Sequence, residues 1–252
     1  MRRRRAGTRG WIGACGPAIA LLAVLAATAT GNVIRTGTAR SAARPRLRTL
    51  LVTGDSLSVP LDDDLSRRLA PAVRVIRDPH IGTGISSDFL LDWRAEARAQ
   101  VRRDHPDAVV MFIGANDGFP LTGPGGVQVA CCDRSWEALY AQRVRAIAEA
   151  YLRGRAARVY WLTLPAQRDP ARERVAVVVN AAISSALAPL RGRAWIIDTV
   201  PIFSPGGRWR SSISIGGRPT VVRAPDGIHL NAAGSSLLAG LVQHSLAKGF
   251  TW

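Results

Sequence analysis

From Thr49 onward, apolar and polar positions alternate between two rhythms. Short unbroken apolar runs predict buried strands at Leu50–Thr53, Val73–Ile76, Ala108–Ile113, Val159–Leu164 and Ala194–Ile197. Between and after them, apolar residues recur at helical spacing over Leu61–Leu69, Phe89–Val101, Trp136–Leu152, Val175–Leu190 and Asn231–Leu246. In the second of these helices Leu90, Leu91, Ala95 and Val101 are expected to face inward. Ser135 is expected to cap the third, which follows a Gly/Pro-rich loop from Pro120 to Asp133. Residues 201–225 hold Gly-Gly pairs and short apolar runs, the pattern of an irregular hairpin excursion. Repeated strand–helix alternation predicts an α/β fold, a flavodoxin-like three-layer α/β/α sandwich around a five-stranded parallel sheet.

Composition adds a leader to this picture. The chain has 252 residues, enough for one such domain and an N-terminal extension. With 47% hydrophobic and 21% charged residues it is neither a disordered nor a fibrous chain, nor a polytopic membrane protein. The net charge of +16 is unevenly placed: residues 1–48 carry ten arginines and no acid. The remainder is only mildly basic and shows no basic helix or aromatic platform, so no nucleic-acid partner is expected. Arg2–Arg5, followed by an uncharged run from Gly10 to Ile34, has the form of an export signal, and Ala27-Thr28-Ala29 offers a cleavage site. The same run is long enough to serve as a signal anchor. Residues 1–30 are therefore expected to be a signal peptide or anchor, and residues 31–48 a basic linker that charge could hold near anionic envelope polymers or lipid. The chain is expected to be exported, either secreted or retained at the cell envelope by its N-terminal segment. After the leader only Cys131 and Cys132 remain, adjacent to one another. A vicinal disulfide, pairing with another chain and two free thiols are all open to them.

Ligand sites in parallel sheets form at the carboxyl ends of strands. The loops there read Gly54-Asp55-Ser56-Leu57-Ser58 after the first strand, Gly82-Thr83-Gly84-Ile85-Ser86 after the second and Gly114-Ala115-Asn116-Asp117 after the third. Asp226-Gly227-Ile228-His229 precedes the last helix. A serine hydroxyl becomes a useful nucleophile when a base takes its proton, and imidazole titrates in the right range. The Asp-x-x-His spacing lets one loop deliver a base with its own orienting carboxylate. Ser56 is thus the candidate nucleophile, His229 the general base and Asp226 the carboxylate that orients it. The backbone N–H groups of Ser56 and Gly84 and the side-chain amide of Asn116 are the candidate oxyanion donors, with Gly82 as the alternative to Gly84. Nothing in this set calls for a metal or organic cofactor. Trp93 and Trp136 are expected in the core. His80, His105 and His244 are read as solvated, and Asp62–Asp64 as a solvated first turn of helix.

These four blocks, in this order, resemble the SGNH (GDSL) hydrolase superfamily over about residues 49–250. Asp92-Trp93, the Trp136, Tyr140 and Arg143-Val144 helix, and the Arg223–Leu230 segment resemble an exported, cell-envelope branch of it. No Gly-x-Ser-x-Gly elbow occurs, which argues against an α/β-hydrolase. The resemblance implies a serine esterase acting on an acyl or acetyl ester, on a small molecule or a polysaccharide, with Asp55 and Asp117 as structural supports. The alternatives are an O-acyltransferase on cell-wall or exopolysaccharide sugars and a catalytically silent carbohydrate-binding domain. The 120–133 loop is expected to rim the pocket.

Overall fold

The structure is a computed structural model, and it describes residues 44–154 and 158–252. The expected leader and most of the linker lie outside the described residues. In chain order the strands are β1 (Thr49–Gly54), β2 (Arg74–Pro79), β3 (Ala108–Phe112), β4 (Leu121–Thr122), β5 (Gln128–Val129), β6 (Arg158–Leu162), β7 (Ala194–Ile197), β8 (Ser212–Ile215) and β9 (Arg218–Val221). The helices are α1 (Ser58–Leu69), α2 (Trp93–Asp104), α3 (Arg134–Gly154), α4 (Pro170–Leu187), α5 (Val200–Phe203) and α6 (Ala232–Gly249).

Five strands form one parallel sheet in the order β2-β1-β3-β6-β7, the flavodoxin-like winding. Every residue of β3 is buried, as a central strand covered on both faces requires. Helices α1 and α6 pack together, and α2, α3 and α4 pack in a row. Helix α4 with its following turn, Pro170–Leu190, is long and apolar enough by length and composition to cross a membrane. Its Ala176, Val179, Ala182, Ile183, Ala186 and Leu187 are buried in this core. Trp93 and Trp136 are core residues as expected, and Trp136 stacks on Tyr140.

Several local expectations are corrected. The helix expected from Phe89 begins at Trp93, because the Asp92 side chain accepts from the N–H groups of Arg94 and Ala95 and caps it there. Its buried face is Trp93, Ala97, Gln100 and Val101, leaving Leu90 and Ala95 exposed. Helix α3 is capped by Asp133, whose carboxylate accepts from the Trp136 N–H at 2.9 Å, and not by Ser135. Residues 45–48, read as linker, are built into the fold. Leu47 is fully buried and donates its N–H to the Thr251 carbonyl at 2.7 Å. The N–H groups of Arg48 and Thr49 both donate to Asp107. Asp62 is buried rather than solvated, and His80 is half-buried, edge-on against Trp93. The 120–133 loop contains the β4–β5 ribbon, is pinned by the buried Leu121, and carries a disulfide between Cys131 and Cys132.

Candidate active site

The site is assembled where β1 and β3 end side by side. Gly54 closes β1 at φ 140°, a conformation L side chains rarely take, and a Cβ there would collide with the Phe112 carbonyl. This close approach turns the next two residues in opposite senses. Asp55 goes inward and is fully buried. Its Oδ1 accepts from the Leu57 N–H at 2.9 Å, and its Oδ2 accepts from the N–H groups of Gly114 and Ala115, each at 2.9 Å. Burial pushes this carboxyl up to about 6 despite those three donors, with the nearby Asp117 charge adding to the rise. Asp55 therefore ties the two strand-end loops into one rigid floor.

Ser56 points the other way, and its Oγ lies 2.8 Å from His229 Nε2. His229 Nδ1 lies 2.7 Å from Asp226 Oδ2. When Nδ1 carries the ring proton and donates it to the carboxylate, Nε2 is left to accept from the serine hydroxyl. Asp226 Oδ1 accepts from the N–H groups of Ile228 at 2.8 Å and His229 at 3.0 Å. Burial alone would raise the Asp226 pKa. The bond to His229, the two N–H donors and the imidazole charge outweigh it and hold this carboxyl down at about 2. Ser58, two residues beyond Ser56, is buried and spends its hydroxyl on the Asp55 carbonyl at 2.8 Å.

The three candidate oxyanion donors are differently engaged. Among the described residues, neither the Ser56 N–H nor the Gly84 N–H has an acceptor in the protein. Asn116 donates one amide hydrogen to the Thr83 carbonyl at 3.0 Å, which leaves the second free. Gly84 is buried, and a Cβ there would stand 2.9 Å from Asp117 Oδ1 and 3.2 Å from the Asn116 carbonyl, so a side chain would push these loops apart. Gly82 is exposed, with open space around its Cα.

Helix α3 braces these loops from behind. The Tyr140 hydroxyl donates to Asp117 Oδ2 at 2.7 Å, while Asp117 Oδ1 accepts from the Ser86 N–H at 2.6 Å. Desolvation in this corner raises both the Asp117 carboxyl and the Tyr140 phenol. Arg143 donates to the Ile85 carbonyl and pairs with Asp88, each at 3.0 Å. The sequence singled out Tyr140 and Arg143 without a role, and this bracing is what they do.

Arg223 was singled out only as part of the Arg223–Leu230 segment, with no role of its own. It is 2% exposed and donates to the carbonyls of Ala166 at 2.9 Å and Ile228 at 3.1 Å, anchoring the loop that carries Asp226 and His229. Burial lowers its pKa to about 10, against the pull of Asp226 and Glu173. No sequence pattern marks an arginine as buried; here only the fold does so.

A cleft of about 570 Å³ opens beside Asn116 and runs along the first turns of α4, past Leu90, Phe119, Leu164, Val175 and Ala176. Ser56 and His229 do not line it. Contrary to expectation, no residue from 120 to 133 lines it either; Thr122 lines a separate hollow beside α2 and α3. Away from the site, Asp78, His80 and Glu96 place one metal-ligand atom each within 4.8 Å of one another. There Arg103 already pairs with Asp78 at 2.6 Å.

A protein-family model described as "Protein of unknown function (DUF459)" matches residues 49–245. The chain belongs to that family. The search of curated proteins gave no sequence match. In fold the DUF459 chain is similar to a catalytic mutant of an acetylxylan esterase from Geobacillus stearothermophilus, at 15% identity and TM-score 0.53, over 82% of this chain and 97% of that one. It is similar to a member of the lipolytic G-D-S-L family from Veillonella parvula, at 15% identity and TM-score 0.53, over 79% and 98%. It is also similar to a lipase/acylhydrolase from Enterococcus faecalis, at 18% identity and TM-score 0.50, over 79% and 95%. The DUF459 domain thus has the SGNH (GDSL) hydrolase fold that its four sequence blocks implied.

Proposed function

We propose that this DUF459 chain is a serine esterase that hydrolyses acyl esters through a covalent acyl-Ser56 intermediate. The observation that carries the reading is the unbroken relay from Ser56 Oγ through His229 to Asp226, at 2.8 and 2.7 Å. Ser56 Oγ attacks the ester carbonyl while its proton passes to His229 Nε2. Asp226 stays ionised, holds the ring and stabilises the imidazolium. The Ser56 and Gly84 N–H groups and the free Asn116 amide hydrogen receive the charge that develops on the carbonyl oxygen; one such donor is typically worth about 10²–10³ in rate. Collapse of the tetrahedral species breaks the C–O bond, and the leaving alkoxide takes the proton from Nε2. Water then attacks the acyl-serine with the same base and releases the carboxylic acid.

The names of the fold neighbours, an acetylxylan esterase and a lipase/acylhydrolase, agree with ester chemistry and leave both carbohydrate and lipid esters open as substrates. The basic, apolar leader supports export and work at the cell envelope. Short p-nitrophenyl esters test the reading: the wild-type chain turns them over, Ser56→Ala loses nearly all of that rate, and Ser58→Ala keeps it. Equal turnover in wild type and Ser56→Ala contradicts the mechanism.

A further inference from the structure

The cleft beside Asn116 has walls suited to hydrocarbon, and we infer that it holds the acyl chain of the ester, selecting medium-length chains over acetyl. This inference rests on the serine-esterase reading, since it gives the cleft its place next to an oxyanion donor.

Three observations carry it. First, the walls contributed by Leu90, Phe119, Leu164, Val175 and Ala176 are apolar. Second, Gln167, Asp169, Arg172 and Asp117 along the cleft each make at least one bond within the protein. Gln167 donates to the Pro165 carbonyl at 2.7 Å, Asp169 caps α4 by accepting from the N–H groups of Ala171 and Arg172, and Arg172 donates to the Ala115 carbonyl at 3.0 Å. Asp117 is held by Ser86 and Tyr140. The five apolar wall side chains offer a sugar ring no hydrogen-bond partner, and an alkyl chain needs none. Third, the mouth is apolar and exposed. Leu90 and Phe119, which line the cleft, are 57% and 45% exposed, and Ile81 and Phe89, outside its lining but on the loop that carries Leu90, are 70% and 71% exposed. Phe89 meets Phe119 edge to face at 5.7 Å, joining the two loops into one rim. Large apolar side chains gathered at the mouth of a cleft mark a surface that is covered in use. An acetyl methyl covers almost none of it. Each further methylene buried is worth about three- to fourfold in affinity.

The test is binding to the full Ser56→Ala chain, which needs no turnover. Octanoate and acetate, the acids such esters would release, are titrated by calorimetry. Octanoate is expected to bind at least about 50-fold tighter than acetate. Leu90→Asp and Phe119→Ser, both at exposed positions, are expected to remove at least about tenfold of that difference while thermal unfolding confirms that they fold. The inference is overturned if octanoate binds no better than acetate, or if neither substitution at the mouth changes the ratio. Turnover gives a second measure: kcat/KM rises from acetyl to octanoyl p-nitrophenyl esters at monomeric concentrations. A preference for acetyl esters, or for acetylated xylo-oligosaccharides, overturns it. Covalent labelling of Ser56 by a fluorophosphonate reports on the esterase reading separately. Labelling without an octanoate preference sinks the acyl cleft alone, and octanoate binding without labelling sinks the serine mechanism alone.

Discussion

The guanidinium of Arg223 donates to the carbonyl of Ile228 at 3.1 Å from inside the protein. Ile228 stands between the two residues of the Asp226–His229 pair, so this bond fixes the height and tilt at which the imidazole meets Ser56. Arg223 also reaches Ala166, and so docks the loop against the segment that follows β6. It touches no reacting atom, and its role is positioning. Arg223→Met is expected to lower kcat about tenfold or more with KM little changed, because a misplaced base slows chemistry more than binding. Unpaired buried carbonyls add about 2–4 kcal/mol of destabilisation in urea unfolding. Arg223→Lys restores part of kcat. Loss of stability with kcat intact contradicts the positioning role.

Asp55 bridges two loops with three backbone N–H bonds and no exposure. Asp55→Ala leaves those donors buried and unpaired, which costs about 3 kcal/mol or more. Equilibrium denaturation measures it. A change below about 0.5 kcal/mol contradicts the assignment of Asp55 as the tie between β1 and β3.

Asp62 gives a pH signature. Burial raises its carboxyl from 3.8 to about 6, against the opposing pull of Arg77 at 3.9 Å. The folded chain then keeps a proton that the unfolded chain releases between these values. Its contribution is favourable below pH 4 and is lost as pH rises through about 6. Asp62→Asn is expected to stabilise the protein by about 1–2 kcal/mol at neutral pH and to do nothing near pH 3. Thermal melts across this range check it, and a variant destabilised at neutral pH contradicts it.

A hydrolase and a transferase would share the proposed acyl-Ser56 intermediate and part only at the acceptor. The 120–133 segment, expected to rim the pocket, is pinned by Leu121 and does not line the cleft. Free acid is expected to form at a similar rate with and without a cell-wall oligosaccharide, followed by mass spectrometry. Negligible acid without sugar, and acylated sugar as the main product with it, replaces the esterase by a transferase.

The central strands of the sheet were legible because a parallel strand covered on both faces must be an unbroken apolar run, as Ala108–Phe112 is; the edge strand β2 carries Arg77 and Asp78 and runs past the apolar stretch that marked it. The residues now found at the site were legible because serine, asparagine and histidine fell at strand ends and in one Asp-x-x-His turn. What misled was the stretch Phe89–Leu91. Its apolar residues match helical spacing, yet Asp92 caps the helix after them and leaves Phe89 and Leu90 exposed, with Leu90 lining the cleft. Asp62 misled in the opposite way, as one carboxylate of three that the packing of α1 turns inward. The anchoring role of Arg223 and the cleft were not legible, for a common reason. Each depends on residues brought together from distant parts of the chain, such as Leu90, Phe119 and Val175, which no local pattern links.

The most direct measurement is the covalent adduct itself. The full chain is treated with a fluorophosphonate, digested and mapped by mass spectrometry. A single phosphonyl group on Ser56 is expected, formed at least about 10²-fold more slowly in His229→Ala. An adduct on another serine, or labelling of Ser56 at the same rate without His229, contradicts the account.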